Sequence, residues 1–223
     1  MESSLSLREN FDQTGRIWLR GVLSDTELLC FDSAAKLQSK AGQRIEMNDK
    51  LSQVLSKDSS FINTIHRLDP GTRPVRIVAF NKSKDINWGV PWHQDRVISV
   101  AANHDIKGFG NWTKKSQTWH CEPPQDLLHR MLFVCIHLDD TDSSNGAMQI
   151  SVGSHVKGIV AAANAQTIAN TFPIESCDAK RGDVLILNML TLHCSKPSQA
   201  QSDRRVFRVD FAAFDLPEPL SWA

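Results

Sequence analysis

No stretch of this chain is long and apolar enough to cross a membrane, and the opening Met1-Glu2-Ser3-Ser4-Leu5-Ser6-Leu7-Arg8-Glu9 lacks the apolar run of a secretory signal. The expectation is a soluble, cytoplasmic protein. An excess of one charge is also missing: 25 Lys and Arg balance 25 Asp and Glu, and the basic residues are scattered, which argues against a nucleic-acid partner. Cysteine is scarce. Cys30, Cys121, Cys135, Cys177 and Cys194 are odd in number and show no close pairing, so neither a disulfide framework nor a C-x-x-C zinc site is expected. Internal repeats and low-complexity tracts are absent as well. A chain of 223 residues can bury one substantial core, and one domain over residues 1–223 is expected.

The pattern along the chain is helices first and strands afterwards. Gly15 to Leu23 suits an early strand. Ser24-Asp25-Thr26-Glu27 matches a capping box, and apolar Leu28, Leu29, Phe31, Ala35 and Leu37 continue a helix toward Gly42. A second helical stretch spans about Asp49 to Arg67. Strand signals then run from Arg73 to Phe80, Trp92 to Ala101, Arg130 to Leu138, Ala147 to Val152, Asp183 to Leu187 and Arg204 to Ala213. Between them, residues from about 102 to 129 break the pattern with Gly108, Gly110, Pro123 and Pro124 and carry His104, Trp112, Trp119 and His120. That segment reads as an insertion or lid and not as a strand pair. The fold class expected is α+β or mainly β, built on an antiparallel core.

The chemistry-bearing residues are His93-Gln94-Asp95 and the distant His193. Residues two apart on a strand face the same way, so His93 and Asp95 can reach one metal, and two histidines with one carboxylate form the set that holds non-haem Fe(II) with open positions. Spacing alone leaves a rival open, because His137-Leu138-Asp139 has the same form at the end of an apolar run. His193 equally reads as a hydrogen-bonded core histidine, although Ser195 would share its face. In the last strand, alternation groups Phe207, Val209 and Phe211 with Arg205, and sets Arg204, Val206, Arg208 and Asp210 on the opposite face, which is expected to look into the barrel. An Arg208/Asp210 surface pair is the plain alternative, and a slip of register would promote Arg205.

Taken together, several runs resemble the phytanoyl-CoA dioxygenase family of Fe(II)/2-oxoglutarate oxygenases. They are Phe80-Asn81-Lys82, Asn87-Trp88, Val90, Trp92-His93-Gln94-Asp95, Leu138-Asp139-Asp140, Asn145-Gly146, Gly153-Ser154-His155, Arg181-Gly182-Asp183, and His193 and Ser195 with Arg204. Phe11 to Gly15 and the first helix are similar too, whereas Val152 stands where the family usually has Pro. The resemblance implies a double-stranded β-helix, or cupin-like jelly roll, with N-terminal helices packed on it. It selects His93, Asp95 and His193 as iron ligands and leaves His137 and Asp139 as a strand end. It also implies 2-oxoglutarate and O2 as co-substrates, with Arg204 pairing the far carboxylate through its planar fork. Gln94 and Ser195 are further candidates to bind the oxoacid; Lys82 and Asn87 either join them or stabilise the loop entering the strand. The expected reaction is hydroxylation of a small molecule with release of succinate and CO2. Retention of Asp95 argues against halogenation, for which that position is opened to halide. The alternatives are a jelly-roll binding or regulatory protein without turnover, or a cupin-like metalloenzyme that does not use 2-oxoglutarate. His155 reads as a turn residue.

Overall fold

A computed structural model of the chain describes residues 6–35, 41–56, 59–200 and 202–223. Helix α1 (Leu7–Thr14) starts with a capping box in which Ser6 and Glu9 bond each other's backbone N–H. This helix was not expected. It ends at Gly15, whose φ of +69° is the left-handed cap that favours glycine. Strand β1 (Arg16–Leu19) follows, then α2 (Asp25–Ala34), opened by the expected Ser24/Glu27 box. The part of that helix expected around Leu37 lies outside the described residues. After β2 (Gly42–Arg44), the helical stretch expected as one piece is two helices, α3 (Asp49–Val54), capped by Asn48, and α4 (Ser60–Leu68).

The strands that build the site come next: β3 (Arg73–Lys82), β4 (Val90–His93) and β5 (Ile98–Val100). The run expected from Trp92 to Ala101 is therefore interrupted. The segment 102–129 corrects the expectation further, because it contains an antiparallel strand pair, β6 (Gly110–Lys115) and β7 (Thr118–Glu122), followed by α5 (Gln125–His129). The hairpin turns at Ser116 and Gln117, both at positive φ (45° and 70°). A two-residue turn of this kind normally carries Asn or Gly, and their absence hid it from a sequence reading. The chain closes with β8 (Met131–His137), β9 (Met148–Ser151), α6 (Ala165–Ala169), β10 (Ile174–Ser176), β11 (Val184–Asn188), β12 (His193–Ser195) and β13 (Arg204–Ala212).

All described sheet pairings are antiparallel. One sheet has the order β1-β11-β8-β13-β3-β2, a second β10-β9-β12-β4 and a third β5-β7-β6. The six-stranded sheet is covered on both faces, which is why β8 and β11 read as unbroken apolar runs. Val134, Ile136, Val184, Ile186, Phe207, Val209 and Phe211 face a core shared with Phe31, Phe61 and Ile65 of the N-terminal helices. Phe133, Cys135, Leu185, Leu187 and Val206 face a second core that includes Ile150 of the four-stranded sheet. Each fully buried Phe or Leu contributes roughly 1.5–3 kcal/mol. Among the described residues, no helix is long and apolar enough to cross a membrane.

Gly15 links this scaffold to the site, since its carbonyl accepts from Asn188 N (2.9 Å) and Thr191 Oγ1 (3.3 Å) just before His193. A Cβ there would lie 2.5 Å from His155 Nδ1 and 2.8 Å from Thr191 Oγ1. Gly15→Ala should combine left-handed strain with overpacking and lower stability by about 2–4 kcal/mol in urea unfolding. A loss below about 0.5 kcal/mol would mean the cap relaxes freely.

Candidate metal and co-substrate site

The four-stranded sheet sets His193 of β12 directly opposite His93 of β4. Each ring is held by the same device: Nδ1 lies 2.9 Å from the carbonyl oxygen two residues earlier, Pro91 for His93 and Thr191 for His193. A carbonyl can only accept, so Nδ1 carries the hydrogen and each Nε2 is left with a lone pair. The ring centroids are 4.2 Å apart, and ligand atoms of His93, Asp95 and His193 all lie within 4.8 Å of one another. His193 Nε2 faces Asp95 Oδ2 at 3.2 Å. Two acceptors in that position require a proton or a cation between them, and this donor set fits a divalent ion.

Asp95 is held ionised. Burial opposes its charge, but Arg208 outweighs that and keeps the carboxyl well below the usual carboxylate range. Arg208 donates from Nη1 to Asp95 Oδ2 (2.5 Å) and from Nε to Asp210 Oδ1 (2.6 Å), with its guanidinium 4.0 Å from the Phe133 ring centroid. Asp210 also meets Arg76 at 3.7 Å. Arg208 and Asp210 are thus a buried pair wired to the candidate ligand, and the surface reading is wrong. Alternation had placed Arg208 on the inner face; its contact with Asp95 depends on a loop from the opposite sheet.

A cavity of about 240 Å³ lies between the sheets. His93, Asp95, His193, Ser195 and Arg204 line it, with Phe80, Trp88, Val90, Phe133, Met148 and Val206 as its apolar wall. Arg204 is 8% exposed and its Nε is buried without a hydrogen-bond partner. Burial works against its charge, so the pocket lacks an anion at this point, and a carboxylate would fit.

Three further candidates are engaged by the backbone, the loop-stabilising alternative already open for Lys82 and Asn87. Gln94 donates to the carbonyls of Gly158 (2.8 Å) and Leu190 (2.7 Å) and accepts from Val160 N (2.8 Å), so its amide ties the exit of β4 to the loop before β12. Asn87 is held by the backbone of Ser198 through both ends of its amide. Lys82 is fully buried, donates to the Lys196 carbonyl (2.7 Å) and Ser195 Oγ (3.3 Å), and is pushed down to about 8 by burial and by Arg204. None of the three lines the cavity, and their polar atoms are occupied in bracing it. Nor do residues 102–129 line it; Trp112 and Trp119 pack on the core, and Arg96 meets Glu122 (3.7 Å) at the hairpin's base. His155 is buried, with Nε2 3.1 Å from the Asp12 carbonyl oxygen. His137 and Asp139 separate: Asp139 pairs with Arg205, while His137 lines the cavity away from the ligand cluster.

Two outcomes are expected. Arg208→Met removes the guanidinium that pairs both Asp95 and Asp210, leaving Asp210 only the more distant Arg76, and urea unfolding of the metal-free protein should show a loss of about 3–5 kcal/mol. Burial pushes His137 from 6.5 down to about 4, so the unfolded chain takes the proton first and stability is lost as pH falls from about 6.5 toward 4. His137→Gln should therefore remove about 2 kcal/mol of the stability lost between pH 7.5 and pH 5, 1.5 units below the ordinary histidine value. An identical pH slope in the variant would contradict this.

The phytanoyl-CoA dioxygenase sequence pattern matches residues 11–206. No curated protein matches the chain significantly. Solved structures share its fold. The α-ketoglutarate-dependent carbocyclase SnoK from nogalamycin biosynthesis is 17% identical, with a TM-score of 0.65 over 95% of this chain and 85% of its own. HygX from Streptomyces hygroscopicus, with nickel and 2-oxoglutarate bound, is 16% identical, with a TM-score of 0.63 over 95% and 88%. EctD from S. alaskensis is 15% identical, with a TM-score of 0.65 over 98% and 81%. Since the family pattern spans most of the sequence and meets a His-Asp-His cluster of the required type, the chain belongs to the phytanoyl-CoA dioxygenase family of Fe(II)- and 2-oxoglutarate-dependent oxygenases.

Proposed function

We propose that the protein is an Fe(II)- and 2-oxoglutarate-dependent dioxygenase that hydroxylates a small molecule, with release of succinate and CO2. The observation that carries this reading is the joint presence, in one cavity, of three convergent metal donors and a buried arginine whose Nε has no partner. We read the two facing sheets as a double-stranded β-helix within a single domain over residues 1–223. The free cysteines fit the reducing cytoplasm.

His93, Asp95 and His193 are the residues that would hold iron, which when bound supplies an open coordination position for O2 while 2-oxoglutarate supplies electrons. Arg208 keeps Asp95 charged and aimed at the histidines. Arg204 orients the far carboxylate of the oxoacid, with Ser195 beside it. Phe80, Trp88, Val90, Phe133 and Met148 exclude water, which protects a strong oxidant from side reactions. The retained carboxylate of Asp95 favours hydroxylation. SnoK is a carbocyclase, and one HygX structure holds hygromycin B, so related folds serve small molecules with differing outcomes.

Anaerobic addition of Fe(II) and 2-oxoglutarate to the apo-protein should produce the weak visible charge-transfer band of chelated iron. Asp95→Ala should lose iron binding and the band together. Arg204→Ala should keep iron but bind 2-oxoglutarate roughly 10- to 100-fold more weakly, the worth of a charge-assisted hydrogen bond. A folded, iron-loaded parent without the band would sink the assignment.

A further inference from the structure

The inner end of the cavity carries a second polar group. His137 ends β8 and shares its inward face with Phe133 and Cys135, all three lining the cavity. Its direct partner across the sheet is Val206 of β13, which puts Arg204 on the diagonal, within reach of a shared ligand. The ring is 3% exposed, and Nδ1 lies 3.2 Å from the carbonyl oxygen of Asp183. That carbonyl can only accept, so Nδ1 carries the hydrogen, and Nε2 of this cavity-lining ring has no hydrogen bond to it among the described residues.

The charges around the ring come from three elements. Arg204 on β13 opposes protonation, as does Arg20 beyond β1, whose guanidinium sits 3.7 Å over Trp18, the ring facing His137 at 5.7 Å. Asp183, before β11, favours protonation, but its carboxylate is already bonded by Arg20 and by the backbone N–H groups of Gly21 and Lys180. On β8 itself the Cys135 thiol is pushed up to about 12 by burial and stays neutral. With the cavity empty, His137 is therefore neutral. A neutral Nε2 would turn a lone pair toward any carboxylate that Arg204 binds, and the missing element is one proton.

We propose that His137 is a second ligand for the co-substrate: as an imidazolium it donates from Nε2 to the carboxylate paired with Arg204, so that binding of 2-oxoglutarate takes up a proton from solvent. This rests on the 2-oxoglutarate reading above. The carboxylate supplies the counter-charge that burial denies the ring, and by linkage a proton that binds better with the oxoacid makes the oxoacid bind better with the proton.

The test is calorimetric titration of the Ni(II)-loaded protein with 2-oxoglutarate at pH 6.0 and 7.5, in two buffers of different ionisation heat. Nickel occupies the histidine ligands without turnover, and this range lies below Lys82, at about 8. Affinity should be about five- to tenfold tighter at pH 6.0, with uptake approaching one proton there, since one coupled proton changes a constant by at most about tenfold per pH unit. His137→Gln and His137→Ala should bind with little pH dependence and no proton uptake. Binding without proton uptake in the parent, or a parent-like pH slope in both variants, overturns the proposal and leaves the dioxygenase reading standing. No binding at either pH in the nickel-loaded parent overturns both. The proton count on the parent decides the matter even where a variant does not fold.

Discussion

The pairing of β12 with β4 brings His193 opposite His93, and the rest of the site follows from that register. A slip of one residue on either strand would turn a candidate ligand away from the cavity, because strand side chains alternate. The register is braced from outside the strands. Gln94 holds the exit of β4 to the loop before β12, and the Gly15 carbonyl anchors Asn188 and Thr191 on the other side of that loop. Residues that look like candidates for ligand contact thus act on geometry. They fix where the histidine rings stand, and the rings' own Nδ1 bonds fix which nitrogen faces inward.

Charge in this interior is arranged as an alternating chain: Asp95, Arg208, Asp210, Arg76. Each buried charge has an opposite neighbour, which is the condition for keeping ions out of water. The inner end of the cavity differs. Among the described residues neither Arg204 nor His137 makes an ion pair, one having an unpartnered Nε and the other being held neutral by burial. The two ends divide the labour chemically, one complete in charge apart from a cation and the other lacking an anion.

Much of this could be read from local pattern. The Ser24 capping box, the apolar runs of β8 and β11, and the alternation of β13 each depend on residues within one turn or one strand. The Ser6 box was equally local but stood before no obvious apolar run, and α1 went unread. The hairpin at β6 and β7 was hidden because Ser116-Gln117 is an unusual turn. Lys82, Asn87 and Gln94 were not decidable from the sequence for another reason: a polar side chain beside a motif serves a ligand or the backbone equally well, and only the distances decide.

By itself the sequence determined the identities that chemistry requires: two histidines and a carboxylate with the right strand spacing, an arginine on the inner face of the last strand, and a family pattern that chose between two His-x-Asp pairs. Those are local or compositional properties, legible from alternation and residue type. Only the tertiary structure decided that Arg208 belongs to Asp95, that Gln94 is a brace, and that His137 shares a cavity with Arg204. Each of these joins elements far apart in the chain, and the electrostatics of a buried group depend on which distant charges the fold brings against it.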